Sequence, residues 1–136
     1  MSSASWALQA AIFTALAADS TVQSLLGVPA RIYDAVPRDA PFPYAVIGDG
    51  KEIAYDTATD QGSEHQVTVA VWSRNGGHKE AKSIAEAIRF TLNGAVLSLS
   101  GHALVDLRAL DTNFARGSDG ETYSATLRLR AVTEPV

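Results

Sequence analysis

The stretch EHQVTVAVWSRNGGHKEAKSIAEAIRFTL, residues 64–92, decides the fold. In its first part His65, Val67, Val69 and Val71 alternate with Gln66, Thr68, Ala70 and Trp72. A period of two with β-branched residues on one side reads as a half-buried strand. Arg74-Asn75-Gly76-Gly77 then breaks the pattern. Beyond the break the period becomes helical: Ala81, Ile84, Ala85, Ile88 and Leu92 share one stripe, and Lys79, Lys82, Glu86 and Arg89 lie off it. Asn93-Gly94 supplies the helix stop. Such a strand and helix bury their apolar faces only when further strands widen the sheet, so the rest of the chain must provide them.

The chain has 136 residues, which fits one domain over 1–136. A chain of this size buries about two-thirds of its unfolded surface. Residues 5–18 are Ala-rich and free of Gly and Pro, which predicts a helix. Leu8, Ile12 and Leu16 form one stripe and Trp6 and Phe13 another, so this helix is either sandwiched in the core or touches a neighbour. Ser20-Thr21-Val22-Gln23 has capping-box spacing and predicts a short helical turn through Leu26, stopped by Gly27 and Pro29. Residues 31–36 predict a short strand around Ile32 and Tyr33. The three prolines of residues 37–43 predict a stiff, extended connection. Residues 44–48 read as a strand that Ile53 and Tyr55 prolong on one face, and acidic residues 56–64 as a mobile loop.

Residues 96–99 are short and apolar. Residues 102–113 and 122–132 flank Arg116-Gly117-Ser118-Asp119-Gly120, which predicts a C-terminal β-hairpin. Tyr123, Ala125, Leu127, Leu129 and Ala131 point one way; Arg128 and Arg130 point the other, with Asp106 as their expected partner across the hairpin. The order of elements predicts an α+β fold: a mainly antiparallel sheet, two principal helices packed chiefly on one face, and that hairpin.

The absence of cysteine excludes disulfides and thiolate metal sites and suits a reducing cytoplasm. No apolar run approaches the ~20 residues of a membrane span. Residues 1–19 carry no Lys or Arg, so no signal peptide is expected. A net charge of −4 makes broad binding to nucleic-acid phosphates a poor fit. His65, His78 and His102 lack metal-ligand spacing and read as edge or loop residues. No G-x-S-x-G elbow proposes a nucleophile. Residues 75–79 precede a helix, where anions bind, but match no phosphate fingerprint; a tight turn explains the glycines. A calcium loop over 56–64 fails at Ala58 and Gln61, which stand where a ligand and a glycine belong. No catalytic residue, cofactor or metal is therefore expected. Phe90 stands on the polar side of its helix, either a lone exposed aromatic or an interface anchor. With Trp6, Phe13 and the braced Pro41-Phe42-Pro43-Tyr44 segment it forms the candidate contact set.

Tyr33-Asp34-Ala35-Val36-Pro37, Ala40-Pro41-Phe42-Pro43-Tyr44-Ala45-Val46-Ile47-Gly48 and Val71-Trp72-Ser73-Arg74 together resemble the tail completion, or tail terminator, family of long-tailed phages. Versions of it occur in prophages and in phage-derived gene transfer agents. Leu8-Gln9-Ala10-Ala11-Ile12-Phe13 and the helix of residues 79–92 are similar to the same family, so the resemblance covers nearly the whole chain in order. It brings no catalytic residues. It implies a virion protein, made in the bacterial cytoplasm, that forms a ring, usually of six subunits. The implied partners are further copies of the chain, the tail-tube protein and the head–tail connector. DNA would pass through the ring without specific binding. Two other classes stay open: a small ligand-binding or hydrolase-like domain with a pocket between sheet and central helix, and a nucleic-acid-binding adaptor.

Overall fold

The computed structural model describes residues 3–56 and 61–136. In order they form α1 (Ala4–Ala18), α2 (Ser20–Leu26), β1 (Ile32–Tyr33), β2 (Tyr44–Ala54), β3 (Ser63–Ser73), α3 (Lys79–Leu92), β4 (Ser98–Leu99), β5 (His102–Arg116) and β6 (Tyr123–Pro135). The strands make one sheet in the order β1-β2-β3-β6-β5-β4, and only the β1–β2 pairing is parallel. The fold is α+β, as the alternating pattern predicts.

The helices cover one face of the sheet. Val69 and Val71 of β3 and Ala125, Leu127, Leu129 and Ala131 of β6 point into that face and are buried. Ala81, Ile84, Ala85, Ile88 and Leu92 of α3 meet them, and Leu8, Ile12 and Leu16 of α1 complete the same core. The opposite face stays bare and carries Gln66, Thr68, Arg128 and Arg130. One wet face is the usual state of an antiparallel sheet.

Local chemistry sets the joints. Asp19 ends α1 and begins α2, and its carboxylate accepts from the Val22 N–H at 2.9 Å. The cap is thus Asp19, one residue before the expected Ser20; the charged acceptor takes the helix N-terminus. Gly94 holds φ 74° beyond α3, the left-handed turn that glycine adopts freely.

β2 continues beyond Gly48 to Ala54, through Ile53 as expected, because a bulge over Gly48–Asp49 lets it stay paired with β3. Gly50 lies so near β3 that a Cβ there would stand 2.6 Å from the Gln66 carbonyl oxygen. The acidic segment read as a loop over 56–64 is shorter than that. Ser63 and Glu64 belong to β3, and Tyr55 N–H donates to the Gly62 carbonyl at 2.8 Å. The mobility expected of that loop concerns residues 57–60, outside the described residues.

Candidate functional site

Among the described residues, no group of three or more His, Asp or Glu is placed to hold a metal ion. The position expected for a ligand pocket, between α3 and the sheet, is filled by side chains: Ala81, Ile84, Ile88 and Leu92 are fully buried there. The clefts lie at the periphery. One of about 450 Å³ is lined by Glu52, Asp56, His102 and Glu134.

His65 corrects an expectation. It is 1% exposed, in the core rather than at an edge, because its position opposite Ala131 places it on the helix-covered face. Its Nε2 lies 2.9 Å from Thr133 Oγ1, and its buried Nδ1 has no hydrogen-bond partner among the described residues. Burial pushes its pKa below the usual value; Glu52 opposes this and His102 adds to it. His78 precedes α3 and packs edge-on against Tyr123 at 4.8 Å. The first turn of α3 holds its own carboxylate, Glu80, which accepts from Ser73 Oγ at 2.7 Å. The positive end of that helix is therefore already served.

Three arginines of the bare sheet face are ion-paired within the subunit. Arg130 pairs with Glu64 at 2.7 Å, Arg128 with Asp111 in a two-pronged contact, and Arg108 with Asp106 at 3.1 Å. Asp106 is thus not the ion-pair partner of Arg128 or Arg130. Bulges at Val105 and Leu110 shift β5, so that Asp106 lies opposite Val132 and Asp111 opposite Arg128. At the hairpin tip Asp119 accepts from the Thr122 hydroxyl and from the Thr122 and Glu121 N–H groups, and lies 3.7 Å from Arg74. These contacts pull its pKa down to about 2.

The candidate contact residues divide into two kinds. Pro41, Phe42, Pro43 and Tyr44 form a packed aromatic corner. Phe42 lies 5.1 Å from Tyr44, Tyr44 lies 5.9 Å from Tyr33, and the Arg74 guanidinium sits 4.3 Å over Phe42. Arg31 Nε holds the corner by donating to the Pro43 carbonyl at 2.8 Å. The others stand free. Phe90 is 81% exposed, Trp6 60% and Phe13 44%. Phe90 rims a cleft of about 320 Å³ between α2 and α3, and Trp6 rims one of about 500 Å³ with Ala10, Ala11, Thr14 and Val96. The second stripe of α1 is therefore left largely uncovered by the described residues. Exposed Val96, Val105, Leu110 and Phe114 extend the apolar surface; nothing in the sequence set them apart from core residues.

The space between α3 and the sheet is filled, and large apolar side chains stay exposed on α1, α3 and β5; surface of that kind marks interaction sites. The family model described as tail completion protein gp17 matches residues 10–134. The chain belongs to that family and is a structural tail protein of a phage-like virion. A solved chain from the virion of a native gene transfer agent particle has 31% sequence identity, with a TM-score of 0.88 over 98% of this chain and 99% of that one. Among curated proteins none matches.

Proposed function

We propose that this chain forms a head-to-tail ring, most simply a hexamer, that caps the tail tube and joins it to the head connector. The observation that carries this reading is the full-length likeness to a chain of an assembled gene transfer agent virion. The uncovered aromatics support it, since a ring needs two different patches on every subunit. Phe90 is the candidate for one patch, the Pro41–Tyr44 corner for the other, and Trp6 with Phe13 for a third contact, to a further copy, the tube or the connector. Burying one such aromatic contributes roughly 1.5–3 kcal/mol, and repetition around a ring multiplies it. The role is structural and non-catalytic. DNA passes through without specific binding; the ion-paired arginines of the bare face and the net charge of −4 offer phosphates little.

Phe90→Asp tests this. The subunit folds normally, because the side chain lies outside the core, while tails remain incomplete. Tails of normal length joined to heads in that variant remove Phe90 from the interface. A particle reconstruction with a single copy at the head–tail junction removes the ring.

A further inference from the structure

We propose that neighbouring copies join by antiparallel strand addition, residues 52–54 of β2 on one copy pairing with residues 114–116 of β5 on the next. The inference rests on the head-to-tail ring proposed above and names the contact that builds it. It starts from the main chain. A strand at a sheet edge presents unpaired N–H and C=O groups, and folded proteins normally cover or distort such edges.

This subunit covers most of both edges. On β5, β4 pairs with His102 and Ala103. Gly94 N–H then donates to the Leu107 carbonyl at 2.8 Å, and Ala109 N–H donates to Asn93 Oδ1 at 2.9 Å. Bulges interrupt the strand at Val105 and Leu110. Beyond Leu110 the register is regular, and residues 111–116 pair only with β6. On the other edge, β1 covers Ala45 and Val46 and a bulge follows Ile47. Residues 50–54 are then regular again and pair only with β3. Among the described residues, two short stretches of regular register remain uncovered, one on each side of the sheet.

Their direction and side chains match. β2, β3, β6 and β5 alternate in direction, so a neighbour that extends the sheet brings β5 antiparallel to β2. With Glu52 set opposite Arg116, Ile53 falls opposite Ala115 and Ala54 opposite Phe114. This register keeps the faces in phase. Glu52 and Arg116 lie on the helix-covered side, opposite His65 and Tyr123 in their own subunit, and Ile53 and Ala115 lie on the bare side. Among the described residues neither Glu52 nor Arg116 forms an ion pair within the subunit. Ile53 and Phe114 are both exposed apolar residues. Opposite charges and apolar pairs placed across strands both favour pairing. A second copy is the fitting occupant because this one chain carries both complementary edges.

The chain has no cysteine, so Ile53→Cys combined with Ala115→Cys reports the contact without background. Directly opposed antiparallel residues have the spacing a disulfide needs. Mild oxidation of particles carrying both substitutions gives a ladder of cross-linked subunits up to the closed ring, and either substitution alone gives none. As a second measurement, Glu52→Arg or Arg116→Glu alone lowers the yield of completed tails, and the two together restore it. A resolved ring that yields no ladder overturns strand addition and leaves the ring standing, as does a double swap no better than the single ones. A single copy at the junction overturns both.

Discussion

α3 presents one apolar stripe to the sheet and a charged outer side, where the Glu86–Arg89 pair lies and a single aromatic, Phe90, interrupts it. α1 lies on the same side of the sheet and has no charged residue along Ala4–Ala18. Its Leu8, Ile12 and Leu16 are fully buried, yet Trp6 and Phe13 face outward. One stripe is enough to hold a helix on a sheet. The second stripe of α1 adds nothing to the subunit core and exposes two large aromatics to water. Comparison of the two helices thus separates residues that fold the subunit from large apolar residues that it leaves exposed.

That separation can be broken first at α3. Ile88→Ala removes fully buried volume from the centre of the core and costs about 2–5 kcal/mol. Chemical denaturation of the purified subunit reads it as a lower midpoint at unchanged slope. A loss near zero would mean that the α3 stripe is not the main seam.

A smaller effect comes from beneath α1, where Ser5, Gln9 and His65 line one cleft of about 150 Å³. Burial favours the neutral form of His65 in the fold, with Glu52 opposing that shift and His102 adding to it. The unfolded chain takes up a proton near pH 6.5. Stability is therefore full above about pH 6.5 and falls on acidification until the lowered folded pKa is reached, by no more than about 1.4 kcal/mol per pH unit for one proton. Melting curves of the parent and of His65→Gln, compared between pH 7.5 and 5, should differ in slope. Equal slopes would show that His65 does not titrate across the transition.

The smallest change in stability sharpens the comparison most. Trp6→Ser with Phe13→Ser alters exposed positions and shifts subunit stability by less than about 0.5 kcal/mol. The same variant should fail to complete tails. Full assembly with these two aromatics removed would make the second stripe of α1 an idle surface.

Much of the candidate surface was legible. Phe90 was visible as an aromatic off its helical stripe, and Trp6 and Phe13 as a stripe beyond the one the core uses. The Pro41–Tyr44 segment was legible as stiff, but the packing of Arg74 on Phe42 was not, because those residues meet only when β2 and β3 pair. The free edges at 50–54 and 111–116 left almost no sequence signal, since an uncovered edge is a property of what lies beside a strand.

By itself the sequence determined the periods: a strand, a turn and a helix in 64–92, an alternating hairpin at the C-terminus, and hence an α+β sheet with helices on one face. Period depends only on which side chains need to leave water, and that is written residue by residue. Only the tertiary structure decided register. The bulges at Val105 and Leu110 set Asp106 opposite Val132 and Asp111 opposite Arg128, and the pairing of β3 with β6 brought Glu64 to Arg130. His65 shares the Val67–Val71 side of β3, and the pairing of β3 with β6 made that end of the strand core rather than edge. Register is fixed by main-chain hydrogen bonds between segments far apart in the chain, and every residue type brings nearly the same main chain to them.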